Sequence, residues 1–484
     1  MEALTAGRSS FGMEHFGTAD LGDARLTRRL IRSADAIFAH PHGSLPQKMK
    51  GHAQLTGLYR LLDAPAVTHA AVIAHHAQRT RERIGAQGQD IVLLIHDSTE
   101  LDYTSKRSLG ELGEIGGGLG RGYIAHHTLA VTPKRQVLGL LSQILHRRRA
   151  VPKARSKPQK RSDPNRESRL WIKGCQACGA LAGKRCVDVT DRGGDCFEFA
   201  AFEMRQGRSF VIRSAHDRAL VGLDHVGSDR IHDHLHQYAR DLPELGTRPL
   251  TLPARPMGKY PRPSKHKSRP GRSICVRIAA GPIIIKAPKP AHGESHEKQL
   301  DLWVIHVREV TAPPAGEDPV EWVLLSNVAV SNFAQACERV DWYGCRWVIE
   351  EFHKAIKTGG CNVQELQLRE ESRLEPMIAI LSVTAAVLME LRHLARDPHA
   401  QNQPAAQVVP VSYVKVLSVW RHRVVNPEMS CYDFCLALAR LGGHLNRKSD
   451  GFPGWQTLWR GWEELQIMTA AVEAMDEARE CVES

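Results

Sequence analysis

No apolar run in this 484-residue chain reaches the roughly 18 residues that a membrane-crossing helix needs. The longest candidate, Pro376 to Met389, is interrupted by Ser382 and Thr384 and is expected to be a buried helix. The N-terminus carries Glu2 and lacks the basic-then-apolar order of a secretion signal. Eleven cysteines are too few for a disulfide scaffold, and their odd number points to free thiols in a reducing compartment. The glycine-rich stretch Gly110 to Gly122 contains no Gly-Lys-Ser or Gly-Lys-Thr, which excludes a P-loop and leaves tight turns or an ordered loop. There is no internal repeat. Membrane spanning, secretion and a nucleotide-binding P-loop are set aside on these grounds, and a cytoplasmic location is expected.

What the chain does have is length and positive charge. A hydrophobic share of 42% with 24% charged residues is ordinary globular composition, and the length exceeds one small domain. The formal charge of +12 permits a polyanionic partner without proving one.

The first 85 residues read as helical. Leu26, Leu30, Ala34 and Ile37 recur at helical spacing beside Arg25, Arg28, Arg29 and Arg32, so one helix has an apolar face and a basic one. Further helical patterns cover His52 to Leu62 and Val67 to Ile84. At Asp90 the texture changes. Ile91 to Ile95 is the continuous apolar run of a buried central strand, expected to deliver His96-Asp97-Ser98-Thr99 at its end. Tyr123 to Val131 and Gln136 to Leu145 resemble further strands around a Pro133-Lys134-Arg135 turn. Arg147 to Arg161 holds eight basic residues and no acid, as either a charged linker or a phosphate-contacting surface.

Asp191-Arg192-Gly193-Gly194-Asp195 is expected to be a strand-to-helix turn before a helix at Phe197 to Arg205, with Ser209 to Arg213 a strand. A strand-rich stretch follows, in which Gly281-Pro282 is expected to turn a hairpin and Arg255 to Arg272 to form a basic loop. A long helix is expected over Phe333 to Lys357, another over Leu374 to Leu394, and shorter ones to the C-terminus. Trp455, Trp459 and Trp462 share one face of the last, which fits core or partner packing.

Three carboxylates stand out from a background of solvated acids: Asp97 after the strongest strand candidate, Asp191 opening a turn, and Glu350 in the long helix. Oxygen donors of this kind suit Mg²⁺, and paired ions about 4 Å apart serve phosphodiester cleavage. An isolated Asp97 could equally be a helix cap. In the long helix Tyr343, Arg346, Glu350 and Lys357 are spaced by 3, 4 and 7 residues and would share one broad face, with Ile349, Phe352 and Ile356 on the other. A plain amphipathic surface helix with an Arg346–Glu350 pair is the simpler alternative; Glu351 is the nearest rival to Glu350 but breaks the register.

With these motifs in hand, Tyr343-Gly-Cys-Arg346-Trp-Val-Ile-Glu350-Glu-Phe-His-Lys-Ala-Ile-Lys357, His96-Asp97-Ser98-Thr99, Asp191-Arg192-Gly193-Gly194-Asp195, Leu21-Gly22-Asp23-Ala24-Arg25 and the Trp455 to Gln466 segment, the chain resembles bacterial cut-and-paste DDE transposases of the insertion-sequence group with a Tyr-Arg-Glu-Lys signature. The resemblance implies an α/β fold: an RNase H-like mixed-sheet catalytic core at 86–395 with a β-rich insertion at about 214–327, an N-terminal helical domain at 1–85 for DNA-end recognition, and a C-terminal helical dimerisation domain at 396–484. The 159 residues between Asp191 and Glu350 accommodate the insertion.

It further implies that Asp97, Asp191 and Glu350 hold Mg²⁺, with Mn²⁺ as a substitute, and that Tyr343, Arg346 and Lys357 position DNA. Trp322 occupies the place of an aromatic that assists base flipping, although a tryptophan in an apolar strand is usually packed. The N-terminal arginines Arg25, Arg28, Arg29 and Arg32 would contact terminal inverted repeats. The implied partners are double-stranded DNA ends, target DNA and a second copy in a synaptic homodimer, with nucleoid association and no membrane. Gly193-Gly194 departs from the larger acidic or small residue common in the family. A structure-selective Mg²⁺ nuclease and a noncatalytic DNA-binding regulator are the competing readings. Cys175, Cys178, Cys186 and Cys196 begin with a Cys-x-x-Cys spacing that could hold zinc, though the later gaps are irregular.

Overall fold

The computed structural model describes residues 10–41, 43–149, 156, 159, 163–179, 181, 183–221, 233–252, 270–288, 297–315, 317–357, 360–396, 400–447 and 450–483. Most of the Arg147 to Arg161 run and of the Arg255 to Arg272 loop, together with the side chain of Trp455, lies outside them.

In chain order the regular elements begin with helices α1 (Phe11–Phe16), α2 (Ala24–Ala39), α3 (Leu45–Met49), α4 (His52–Leu62) and α5 (His69–Ala86). Strands β1 (Ile91–Asp102), β2 (Gly113–Ile115), β3 (Gly120–Val131) and β4 (Val137–His146) follow. Next come α6 (Leu170–Cys178), β5 (Arg185–Thr190), α7 (Phe197–Arg205), β6 (Ser209–Arg213) and α8 (Leu235–Asp241). Then come β7 (Glu244–Leu252), β8 (Arg272–Lys286), β9 (Gln299–Glu309) and β10 (Glu321–Ser326). Helices α9 (Phe333–Gly344), α10 (Trp347–Lys357), α11 (Glu371–Leu394), α12 (Val411–His422), α13 (Cys431–Leu441) and α14 (Trp455–Glu483) complete the chain. The fold is α/β, as expected: a helical N-terminal bundle, a mixed β-sheet core of RNase H-like topology with extra strands, and a helical C-terminal region.

The chain divides into two compact units. The first comprises 1–151, 173–184 and 347–484. Its strands are antiparallel, with β3 between β1 and β4 and β2 against the start of β3. Helices α5 and α11 pack on β4 and on each other, and α10 packs on β1. Helix α11 is long and apolar enough to cross a membrane, but 89% of its apolar window is buried inside the protein, so it is a core helix. The second unit comprises 152–172 and 185–346. There β5 and β6 run parallel, and the order continues antiparallel through β10, β9, β8 and β7. These last strands form the β-rich segment between Asp191 and Glu350.

Three expectations are corrected. The first strand does not end at Ile95; β1 continues to Asp102, so Asp97 is mid-strand, paired across to His127. The polar residues stay in the sheet because they bond their neighbours: Ser98 Oγ to His126 Nδ1 at 2.9 Å and Thr128 Oγ1 to His96 Nδ1 at 3.0 Å. Gly281-Pro282 is not a hairpin turn; it lies inside β8, which pairs with β9 as far as Lys286. Proline is tolerated there because β7 pairs only with the stretch up to Ala279, so its missing N–H breaks no ladder on that side. Finally, Phe333 to Lys357 is two helices: α9 ends at Gly344 and α10 starts at Trp347. Tyr343 and Arg346 therefore do not share a helix with Glu350 and Lys357.

Candidate metal and nucleic-acid sites

Asp97 is half-buried on β1, where Oδ1 accepts a hydrogen bond from its neighbour's amide, Ser98 N, at 2.8 Å. Glu350 is half-buried on α10, whose other side buries Ile349, Phe352 and Ile356 as the 3–4 spacing predicts. The two elements are tied by histidines. Gln143 on β4 donates from Nε2 to His127 Nε2 at 2.7 Å, which leaves the His127 proton on Nδ1 and directs it to His353 Nε2 at 3.1 Å. His127 is the cross-strand partner of Asp97, and His353 is one helical turn beyond Glu350. One bond thus couples the strand of one acid to the helix of the other. The next acid, Glu351, is committed elsewhere. Burial alone would raise its pKa, but His393 and Arg392 of α11 hold it down to about 2. Lys357 is half-buried; burial lowers its pKa, and Glu100 and Asp102 of β1 attract its charge.

In the second unit Asp191 follows β5 and caps a 3₁₀ turn at Arg192–Gly194, its Oδ1 accepting from Gly193 N at 2.8 Å. The structure explains the Gly193-Gly194 departure. A Cβ on Gly193 would stand 2.7 Å from the Trp171 ring, and one on Gly194 would stand 2.3 Å from Thr190 Oγ1. Asp195 is a structural acid. Its Oδ1 takes Arg218 Nη2 at 2.5 Å, and its Oδ2 takes the amides of Ala215 and His216 at 2.7 and 2.9 Å. The other three signature residues of this unit are packed: Trp322 is 7%, Tyr343 1% and Arg346 6% exposed. The Trp322 and Tyr343 rings meet edge-on at 5.3 Å, with the Arg346 guanidinium 5.8 Å from the Tyr343 ring.

The cysteines divide between the units, Cys175 and Cys178 in the first and Cys186 and Cys196 in the second. Burial raises the thiols of Cys186 and Cys196 to about 11 each, so both are neutral near pH 7. Within the first unit Cys175 Sγ lies 3.7 Å from His96 Nε2, both side chains buried. A nitrogen and a sulfur at that separation can ligate one metal ion, and the pair is softer than the all-oxygen set suited to Mg²⁺. Spacing did not reveal it, because 79 residues separate the two.

Histidines also set a pH limit on this unit. Leu140 N donates to His76 Nε2 at 3.1 Å, so neutral His76 carries its proton on Nδ1 and donates to His15 Nδ1 at 3.0 Å. Burial, then nearby positive charge, lowers the His76 pKa from 6.5 to about 3. The unfolded chain therefore binds a proton below pH 6.5 that the folded chain refuses until about pH 3, and stability falls as pH drops through that window. From His76 alone the expected loss at pH 5 is about 2 kcal/mol. Buried His15, His126 and His127 are lowered well below their ordinary value and act in the same direction. Urea midpoints measured at pH 8 and pH 5 should differ accordingly, and a His76→Gln variant should show the smaller difference.

The N-terminal helices supply the nucleic-acid side. Asp23 caps α2 through Arg25 N at 2.8 Å, and Leu30, Ala34, Ile37 and Phe38 pack inward. Arg25, Arg28, Arg29 and Arg32 are all exposed; Arg25 pairs with Asp23 at 3.0 Å, while the other three make no ion pair among the described residues. Residues 8–67 match the protein-family model described as Transposase DNA-binding. The chain carries an N-terminal transposase-type DNA-binding domain. Converting Arg28, Arg29 and Arg32 together to Ala should weaken duplex binding across sequences and make the salt dependence of log K shallower by about 2–3, at roughly 0.9 per lost phosphate contact. Fluorescence anisotropy over a salt series measures both.

Proposed function

We propose that this protein is a metal-dependent DNA-cleaving and DNA-joining enzyme, a cut-and-paste transposase of the DDE type. The observation that carries the reading is the match of residues 8–67 to a transposase DNA-binding domain, on which α2 presents its arginines to solvent. The acids supply the rest: Asp97, Asp191 and Glu350 are the proposed metal ligands. Their oxygen chemistry fits Mg²⁺ or Mn²⁺, and half-burial of all three leaves them reachable by solvent. When bound, the ions would activate the attacking oxygen and stabilise the leaving one. The chain's own residues position: His127 and His353 hold strand and helix together, Glu351 pins α10 to α11, and Gly193-Gly194 lets the turn after β5 close on Asp191.

Tyr343, Arg346, Lys357 and Trp322 are proposed to position DNA near the cut. For Trp322 and Tyr343 that role requires the edge-on ring pair to open. The proposed functional division is end recognition by 1–85, catalysis by 86–395 and dimerisation by 396–484. Exposed Ile467, Val472 and Met475 on α14 support the last assignment.

Incubating the protein with the inverted ends of its surrounding element, target DNA and Mg²⁺ tests the reading. Transposition predicts 3′-OH ends, hairpin-terminated intermediates and joined target products. The His96–Cys175 donor pair, together with the DNA-binding domain, favours a second reading, a metal-dependent DNA nuclease that leaves cut ends unjoined. Sequence-specific binding with no metal-dependent cut would instead indicate a noncatalytic regulator.

A further inference from the structure

We propose that a cavity in the second unit, immediately beyond Asp191, seats one backbone phosphate of a DNA strand. The cavity has a volume of about 250 Å³, and Arg166, Ser168, Arg192, Cys196, His216 and Arg218 line it. That is below the roughly 300–1,000 Å³ of pockets that enclose small organic ligands. It suits a phosphate with part of a flanking sugar.

The three arginines differ. Arg218 is spent on Asp195, with Nε at 3.1 Å and Nη2 at 2.5 Å from Oδ1, and the other oxygen of Asp195 is filled by amides. This neutralised pair forms a fixed wall. Arg166 and Arg192 make no ion pair among the described residues, although both line the same space. Each sits on a short turn held by backbone bonds: Arg166 N to Asp163 O at 3.1 Å, and Gly194 N to Asp191 O at 3.2 Å. Glu198, the other lining acid, accepts from the Cys196 thiol at 2.8 Å. Three guanidiniums against two carboxylates leave the lining a formal +1, concentrated on the two uncommitted forks.

A guanidinium fork matches two phosphate oxygens at once, and the Ser168 hydroxyl offers a further donor. Neither Trp nor Tyr lines the cavity and Phe197 is buried, which leaves the His216 imidazole as the one exposed ring among guanidinium and hydroxyl donors, a lining richer in phosphate donors than in stacking faces. Its position one residue past Asp191 would hold a strand in register with that acid. The DNA ligand rests on the proposed function; the cavity and its arginines do not.

The test uses the full-length protein in EDTA, with ligand-observed NMR of the thymidine dinucleotide d(TpT), which has one phosphodiester, and separately of inorganic phosphate. Arg166→Ala with Arg192→Ala should weaken d(TpT) binding by about tenfold or more, as expected for two lost charge-assisted bonds. Arg308→Ala, exposed on β9 and outside the cavity lining, should leave it unchanged. Arg192→Glu, on an exposed turn, gives the same loss if the double variant misfolds. Unchanged d(TpT) binding in Arg192→Glu overturns the proposal, and inorganic phosphate binding as tightly as d(TpT) overturns the assignment to DNA in favour of a general anion site. Asp97→Asn keeps the two readings apart. It should strongly lower end cleavage and spare d(TpT) binding, so full cleavage by this variant sinks the assignment of Asp97 and leaves the cavity standing.

Discussion

Asp97→Asn, Asp191→Asn and Glu350→Gln should each lower Mg²⁺-dependent cleavage of terminal DNA by about 10³-fold or more while leaving duplex binding and the unfolding midpoint nearly unchanged. A carboxylate-held ion stabilises a phosphoryl-transfer transition state by several kcal/mol, and each 1.4 kcal/mol is about tenfold in rate. The amide substitutions are chosen because of what the side chains do in the fold. Asp191 Oδ1 caps the turn through Gly193 N, and an asparagine oxygen can keep that bond while losing the charge. Alanine would remove both and confuse a misplaced turn with a missing ligand. Asp97 and Glu350 are half-buried, so neutral replacements cost little desolvation. Partial recovery of cleavage in Mn²⁺ would strengthen the ligand assignment. Full cleavage by all three variants in Mg²⁺ would refute it.

Much of the fold could be read from periodicity, and the misreadings share a cause. Ile91 to Ile95 announces a buried strand, but its extension through His96, Asp97 and Ser98 depends on β3 supplying Thr128 and His126 as partners. Gly281-Pro282 carries a strong local turn signal, overridden by pairing of the whole of β8 with β9. The break between α9 and α10 leaves the apolar spacing intact on both sides, so a helical pattern runs across it unmarked. The candidate acids were legible because each sits in a short contiguous motif. The His127–His353 tie, the His96–Cys175 pair and the Arg166–Arg192 cavity join residues far apart in the chain, and no local spacing encodes such meetings. The Gly193-Gly194 departure looked like a weakness of the motif. Trp171 and Thr190 show it to be a steric requirement.

Arg208→Met is the substitution expected to cost the most stability. Arg208 donates from Nε and Nη2 to the two oxygens of Asp188, at 2.9 and 2.8 Å, and from Nε to Glu203 at 3.3 Å. Both carboxylates are fully buried, and the Arg208 cation offsets negative charge that has left water. Removing one partner of such a group costs about 3–5 kcal/mol, because the remaining charges stay uncompensated. That is a large part of the 5–15 kcal/mol by which a domain is ordinarily stable. Arg208→Lys keeps the charge but loses the fork that spans both oxygens of Asp188, and should fall between the two. The decisive comparison is a triple variant, Asp188→Asn, Glu203→Gln and Arg208→Met. If the penalty comes from stranded charge, the triple variant should unfold at higher urea than Arg208→Met alone, even though it carries more substitutions. If the penalty comes from lost packing of the arginine stem, it should unfold no later than the single variant. Asp188 lies on β5 three residues before Asp191, so cleavage by the triple variant also reports whether that strand needs its buried charges to present the acid or only needs to be folded.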